Sequence, residues 1–203
     1  MIDPYTVSFS KENSKMGPIY SVSLMPIITC VPGCKCSKEC YAFRLTKYRK
    51  TVRDAWLRNT RILKGNPESF WRQTEGMIMM SRYFRFHVGG DIPDKDYLDN
   101  MFAVAKRNPH CKILCFTKRY ELVNKRMKQM DKPENLQLIL SSWRGMEMEN
   151  PYNLPEAHVL YKDGFTMAKP DAFKCNGNCF TCAKAETGCW TMRNGQQVVF
   201  KEH

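Results

Sequence analysis

Apolar residues along this chain change repeatedly from alternating to helical spacing, which predicts strands separated by helices. Ile19 to Met25 is a short apolar run closed by Pro26, as suits a strand ending there. From Tyr41 to Lys64 the spacing is helical. Tyr41, Leu45, Tyr48, Val52, Ala55, Trp56, Ile62 and Leu63 share one face, while Arg44, Lys47, Lys50, Arg53, Arg58, Arg61 and Lys64 occupy the rest. Gly65 stops that helix, and Asn66, Pro67 and Glu68 supply a cap, a first-turn proline and an early acid for a second helix reaching about Met80.

Beyond Arg82 the alternation is regular. Phe84, Phe86 and Val88 alternate with Arg85 and His87 in a strand that stops at Gly89-Gly90-Asp91, and a helix follows from Pro93 to Arg107. A strand at Lys112 to Thr117 leads to a helix at Tyr120 to Met130. Leu136 to Ser141 follows Pro133 as another strand, and Ala157 to Tyr161 follows the Pro151 and Pro155 loop. Strands separated by helices of this length imply parallel pairing through right-handed crossovers. The expected fold class is therefore α/β, an open or partial (β/α) barrel with parallel strands over residues 1–162, because the units are too few to close an eight-stranded barrel. Residues 163–203, richer in Gly, Asn and Cys, are expected to form a metal-bound C-terminal segment.

Eight of the ten cysteines lie in two compact sets. Cys30, Cys34, Cys36 and Cys40 read C-x3-C-x-C-x3-C, and Cys175, Cys179, Cys182 and Cys189 read C-x3-C-x2-C-x6-C. Four sulfurs from so short a stretch suit a soft, tetrahedral centre, either zinc or an iron-sulfur cluster. Disulfides are disfavoured: residues 1–20 carry no apolar signal core, and Cys34 and Cys36 are too close in sequence to pair comfortably. Structural zinc sites commonly join two C-x2-C knuckles from separate segments, a form absent from both sets, and single-segment runs of four cysteines favour iron-sulfur. Spacing alone does not decide, and two 4Fe-4S clusters are expected with zinc as the alternative once the α/β context and the resemblance given below are added. Cys111 and Cys115 sit in an apolar run and read as buried hydrophobes.

Charge modifies this picture only moderately. Lys and Arg number 32 against 20 Asp and Glu, a formal net charge of +12. Each four-thiolate zinc site or oxidised 4Fe-4S cluster would carry about −2, so two filled centres would leave roughly +8. The chain has no apolar run approaching a membrane span. A soluble protein is expected, with acidic partners favoured.

Functional loops in parallel α/β folds follow the C-terminal ends of strands. The first cysteine loop, Gly89-Gly90-Asp91, Thr117-Lys118-Arg119 and Ser141-Ser142-Trp143-Arg144 should thus face one cleft. Gly89, Gly90, Asp91, Lys118 and Ser142 are its candidate ligand-binding residues. Paired glycines permit close backbone approach, Asp91 can accept from an amine or cap the next helix, and Lys118 can meet a carboxylate or phosphate. His87 reads as a hydrogen-bonded structural histidine rather than a ligand, and no catalytic residue is identified.

A cysteine loop after the first strand with a Gly-Gly-acid turn after the second resembles the arrangement in radical S-adenosylmethionine enzymes. That resemblance implies a three-cysteine 4Fe-4S cluster with one iron free, and S-adenosylmethionine held by its amino group at the glycine turn. The spacing departs from that family, which uses C-x3-C-x2-C where this loop reads C-x3-C-x-C and adds Cys40. If all four bind, no iron is open. The literal C-x3-C-x2-C falls at Cys175, Cys179 and Cys182, where auxiliary clusters often look alike. More closely, Pro32-Gly33-Cys34, Cys40-Tyr41-Ala42, Phe86-His87-Val88-Gly89-Gly90-Asp91, Tyr97-Leu98 and Phe116-Thr117-Lys118 resemble the phage gene-product-eighty-eight family of uncharacterised proteins, from about Pro18 to Trp143 plus the terminal cysteines. This implies a phage or prophage protein acting in a bacterial host cytoplasm.

The competing class is a zinc-stabilised nucleic-acid-binding protein. It draws on the +12 charge, the basic helix from Arg44 to Lys64, and Tyr41, Tyr48, Trp56 and Trp71 as stacking residues. An ordinary solvated face over a packed aromatic core explains that helix better, since these aromatics lie mainly on its apolar side. A third reading makes both metal sites purely structural supports for a protein-binding module.

Overall fold

Lys112–Thr117 is a strand without a polar face: Ile113 and Cys115 are buried toward one side, and Leu114 toward the other. Such strands belong in a parallel sheet covered on both faces. The computed structural model, which describes residues 5–202, contains that sheet. Its strands are β1 (Phe9–Ser10), β2 (Tyr20–Val22), β3 (Tyr83–Phe86), β4 (Lys112–Thr117), β5 (Leu136–Ser141), β6 (Glu156–Leu160), β7 (Phe173–Lys174) and β8 (Gln197–Lys201), in the order β1-β2-β3-β4-β5-β6-β8-β7. The first pairing is antiparallel and every other pairing is parallel. The end strands β1 and β7 do not pair, so the fold is an open mixed α/β sheet.

The helices are α1 (Tyr41–Tyr48), α2 (Lys50–Gly65), α3 (Pro67–Met79), α4 (Lys95–Arg107), α5 (Tyr120–Met127) and α6 (Cys179–Lys184). Ile62, Phe70, Trp71, Ile78, Leu98, Met101 and Val123 from α2 to α5 pack with Phe84, Phe86, Ile113 and Leu138 on one face. On the opposite face Tyr83, Leu114, Ile139, Ala157 and Val198 meet Met16 and Ile19 from the N-terminal region and Ala183, Trp190 and Met192 from the C-terminal one. Between β5 and β6 the ladder is short, joining only Leu140 to Glu156 and Ser141 to Ala157.

Two differences from the sequence reading have clear causes. The helix expected as one element over Tyr41 to Lys64 breaks at Arg49, whose φ and ψ of −114° and 88° are not helical. The break brings Ala42 of α1 and Trp56 of α2 together against Met25, a packing preference that helical periodicity does not encode. Secondly, the boundary expected at residues 162 and 163 falls inside the sheet. β8 lies beyond it and pairs with β6 over five residue pairs, from Glu156 with Gln197 to Leu160 with Lys201. Val198, Val199 and Phe200 after Asn194-Gly195 carry an ordinary strand signal that the neighbouring cysteines overshadow.

Trp190 ties this C-terminal part to the core. Its ring lies 5.4 Å from that of Tyr83, edge to face, and its indole N–H donates to the Cys179 carbonyl at 3.0 Å. Trp190→Ala should therefore lower the stability of the whole sheet by about 3–5 kcal/mol. Chemical denaturation followed through the remaining tryptophans checks this. An unchanged main transition would mean that residues 163–203 are an appendage rather than part of one core.

Candidate metal and ligand cavity

The first cysteine set occupies the connection after β2. A short 3-10 turn at Lys35–Glu39 carries Cys36, and Cys40 caps α1 by accepting from the Phe43 N–H at 3.4 Å. The Cys30 sulfur accepts from the Ile27 N–H at 3.4 Å, and the sulfurs of Cys34 and Cys36 lie 2.8 Å apart. That contact shares a proton between the two: the acceptor Cys34 is pulled down to about 6, and the donor Cys36 is pushed up. Burial raises Cys30 to about 11.

The second set begins where β7 ends. The Cys175 N–H donates to Val199 in β8, and its sulfur accepts from the Gly177 N–H at 3.3 Å. Cys179 and Cys182 lie on α6, and Cys189 lies on the turn Gly188–Trp190. Gly188 has φ +61°, and a Cβ there would come within 3.0 Å of the Cys182 sulfur. Only glycine leaves that sulfur its space. Burial pushes the thiols of Cys179 and Cys189 up.

All eight of these cysteines line one cavity of roughly 1190 Å³ at the C-terminal ends of the strands. Gly89, Gly90, Asp91, Lys118, Arg85, Ser141 and Trp143 line it as well. The volume exceeds the roughly 300–1,000 Å³ of an ordinary small-molecule pocket. Among the described residues, no three His, Cys, Asp or Glu side chains converge to hold a single metal ion. A tetrahedral zinc site with Zn–S bonds of about 2.3 Å needs its sulfurs about 3.8 Å apart. In the first set the Cys34 and Cys36 sulfurs lie closer than that, 2.8 Å apart. The donor set is soft, and backbone N–H groups donate to Cys30, Cys40 and Cys175, the chemistry by which proteins hold either zinc or an iron-sulfur cluster.

The ligand candidates separate into two groups. Lys118 faces the cavity, its ammonium donating to the Ser141 hydroxyl at 3.0 Å and lying 6.0 Å from the centre of the Trp143 ring. Gly89 and Gly90 line the cavity, but their missing side chains are explained by the protein itself. A Cβ on Gly89 would lie 2.4 Å from the Trp56 ring, and Gly90, at φ +81°, would meet the Leu24 carbonyl at 2.8 Å. Asp91 is committed internally, accepting from the Thr117 hydroxyl at 2.6 Å and from the N–H groups of Ile92 and Lys118 at 2.7 and 2.8 Å. It latches the end of β3 to that of β4, and burial pushes its carboxyl up against those three donors. Asp94, not Asp91, caps α4.

Ser142 is 2% exposed and does not reach the cavity. It lies within hydrogen-bond distance of His158 Nδ1, 2.8 Å away, and His158 Nε2 lies 3.0 Å from Glu156. The serine–histidine–acid order resembles a nucleophilic triad, yet so enclosed a hydroxyl is closed to a substrate. One residue earlier, Ser141 holds the position expected of Ser142, because neighbouring strand residues point to opposite faces. His87, at φ +60°, turns its ring into the core, 3.0 Å from the Tyr97 hydroxyl and 3.8 Å from the Cys115 sulfur. Cys111 and Cys115 are fully buried, as read from the sequence.

Sequence reasoning passed over Arg85, whose inward position on β3 looked like the polar side of an alternating strand. In a sheet buried on both faces, a charge in mid-strand is itself a site signal. The aromatics proposed as stacking residues divide as well: Trp56 and Trp71 are buried, while Tyr48 is 83% exposed. No helix is long and apolar enough to cross a membrane among the described residues.

The chain belongs to the Gene product 88 family, whose model matches residues 6–171. Neither the curated proteins nor the solved structures contain a match. The matched span takes in the first cysteine set and the strand ends around the cavity, and stops ahead of Cys175.

Burial holds the His87 ring neutral, lowering its pKa to about 3. The unfolded chain binds the proton near pH 6.5, so this contribution is intact above that pH and is lost as pH falls toward 3. Between pH 7 and 5 the loss should be about 2 kcal/mol. His87→Asn keeps a residue that tolerates positive φ and removes the titration. Its stability, measured by urea denaturation at both pH values, should fall less than that of the wild type by about that amount. Equal losses would show that His87 is not the acid-sensitive group.

Proposed function

We propose that the chain is an iron-sulfur protein of phage type in which two four-cysteine 4Fe-4S centres face one cavity that also admits a small polar ligand. The observation that carries this reading is the meeting of both cysteine sets with Lys118 and the glycine turn in a single enclosure. Its place of action would be the host cytoplasm. When bound, such clusters supply one-electron redox chemistry.

The residues of the chain would divide the remaining work. Lys118 meets an acidic group of the ligand, supported by its position over Trp143 and its bond to Ser141. The backbone of Gly89 and Gly90 forms the floor, and Asp91 keeps that floor attached to β4 through Lys118 and Thr117. S-adenosylmethionine is the ligand suggested by the loop arrangement. With Asp91 already satisfied, its amine would be met by backbone carbonyls rather than by that carboxylate. The C-terminal centre would chiefly order its own segment.

The zinc-stabilised nucleic-acid reading has less support, since Trp56 and Trp71 are withdrawn into the core. Protein purified anaerobically after expression with iron should be brown and hold about eight iron and eight labile sulfide atoms per chain. Stoichiometric zinc without sulfide would refute the cluster reading. Calorimetric titration of the loaded protein with S-adenosylmethionine should show binding that Lys118→Met weakens roughly tenfold to a hundredfold, the loss expected for a hydrogen bond to a charged group. Heat traces without binding would remove this ligand and leave the clusters as electron carriers.

A further inference from the structure

Arg85 is the residue in the cavity whose charge is least explained by the chain itself. It sits mid-strand on β3, on the face that otherwise presents Tyr83, Leu114 and Ile139. Its Nε is buried without a hydrogen-bond partner, and among the described residues no carboxylate pairs with it. The guanidinium lies 4.9 Å from the centre of the Phe116 ring, with Nη1 directed at the Cys179 sulfur 4.0 Å away. Arg85 is half-buried, and an unpaired charge partly withdrawn from water is costly, while a planar, permanently charged fork retains its proton under any ordinary condition. A negative group in the cavity would offset that cost. The nearest candidate is the C-terminal cysteine set, whose Cys179 sulfur is the one that Nη1 approaches.

We propose that Arg85 is the counter-cation of the C-terminal centre: it donates to the Cys179 sulfur and holds that centre's reduction potential above the value it would otherwise have. This rests on the reading of both cysteine sets as iron-sulfur ligands. Reduction adds one electron from an external donor and no proton, taking a four-thiolate 4Fe-4S centre from about −2 to about −3. A fixed positive charge beside the sulfur favours the more negative state, so removing it makes the centre harder to reduce. Arg85 acts through the ligand sulfur and is a positioning residue rather than a catalytic one.

The test is an anaerobic redox titration of the full chain, followed by paramagnetic resonance, with dithionite as reductant and iron and sulfide measured on each sample. Cys182→Ser identifies the signal of the C-terminal centre. Arg85→Met should move that centre's midpoint to lower potential and leave the other in place, lowering the ratio of reduced to oxidised centre at the wild-type midpoint about tenfold, or about 59 mV for one electron. Arg85→Lys should recover part of the shift. Arg82→Met, immediately before the strand and outside the cavity, controls for net charge and should change neither midpoint. An unmoved midpoint in Arg85→Met at full iron content, or an equal shift of both centres, overturns the proposal. Loss of iron from the C-terminal centre in Arg85→Met but not in Arg85→Lys supports it, whereas loss from both assigns Arg85 to packing and overturns it. Wild-type protein without iron and sulfide would sink the cluster reading itself, and this inference with it.

Discussion

A parallel sheet buried on both faces is the constraint from which the rest of this molecule follows. Helices α2 to α5 cover one face, because each crossover between parallel strands returns a helix to the same side. The other face needs a different cover, which comes from Met16, Ile19 and the segment holding α6, Trp190 and Met192. That cover does not extend over the C-terminal ends of the strands. Between it and the loops leaving those ends lies the cavity, and both cysteine sets are delivered there by the same geometry: one at the exit of β2, the other at the exit of β7.

Charge and sulfur inside the cavity depend on one another. Buried thiols are held protonated by burial, as at Cys30 and Cys189, unless a positive partner or metal offsets that cost. The chain places one cation near each set. At Cys34 the Cys36 thiol does most of the lowering and Lys118 adds to it, and Arg85 opposes the rise of Cys179. Both cations come from strand β3 or the loop after β4, so the sheet fixes the electrostatics of loops that are otherwise irregular.

Much of this was legible in the sequence. The strand at Lys112 to Thr117 and that at Leu136 to Ser141 were readable to the residue, because proline and polar residues bound their apolar runs. The gathering of the cysteine loop, Gly89-Gly90-Asp91 and Lys118 at one edge followed from parallel topology alone. What could not be read depends on contacts between distant residues. The break at Arg49 answers to Met25 and Trp56, the glycine pair answers to Trp56 and Leu24, and the choice of Ser141 over Ser142 turns on a single step of strand register. Strand β8 was hidden for a different reason, since its signal is ordinary and its neighbours are cysteines.

The central claim is that two cysteine-ligated clusters face each other across one cavity, and their mutual magnetic influence measures it most directly. In the fully reduced, anaerobic protein, two paramagnetic centres sharing an enclosure of roughly 1190 Å³ should broaden and split each other's resonance. Cys182→Ser, by disturbing the C-terminal centre, should return the remaining signal to that of an isolated cluster. A wild-type spectrum equal to the sum of two independent clusters would contradict the shared cavity.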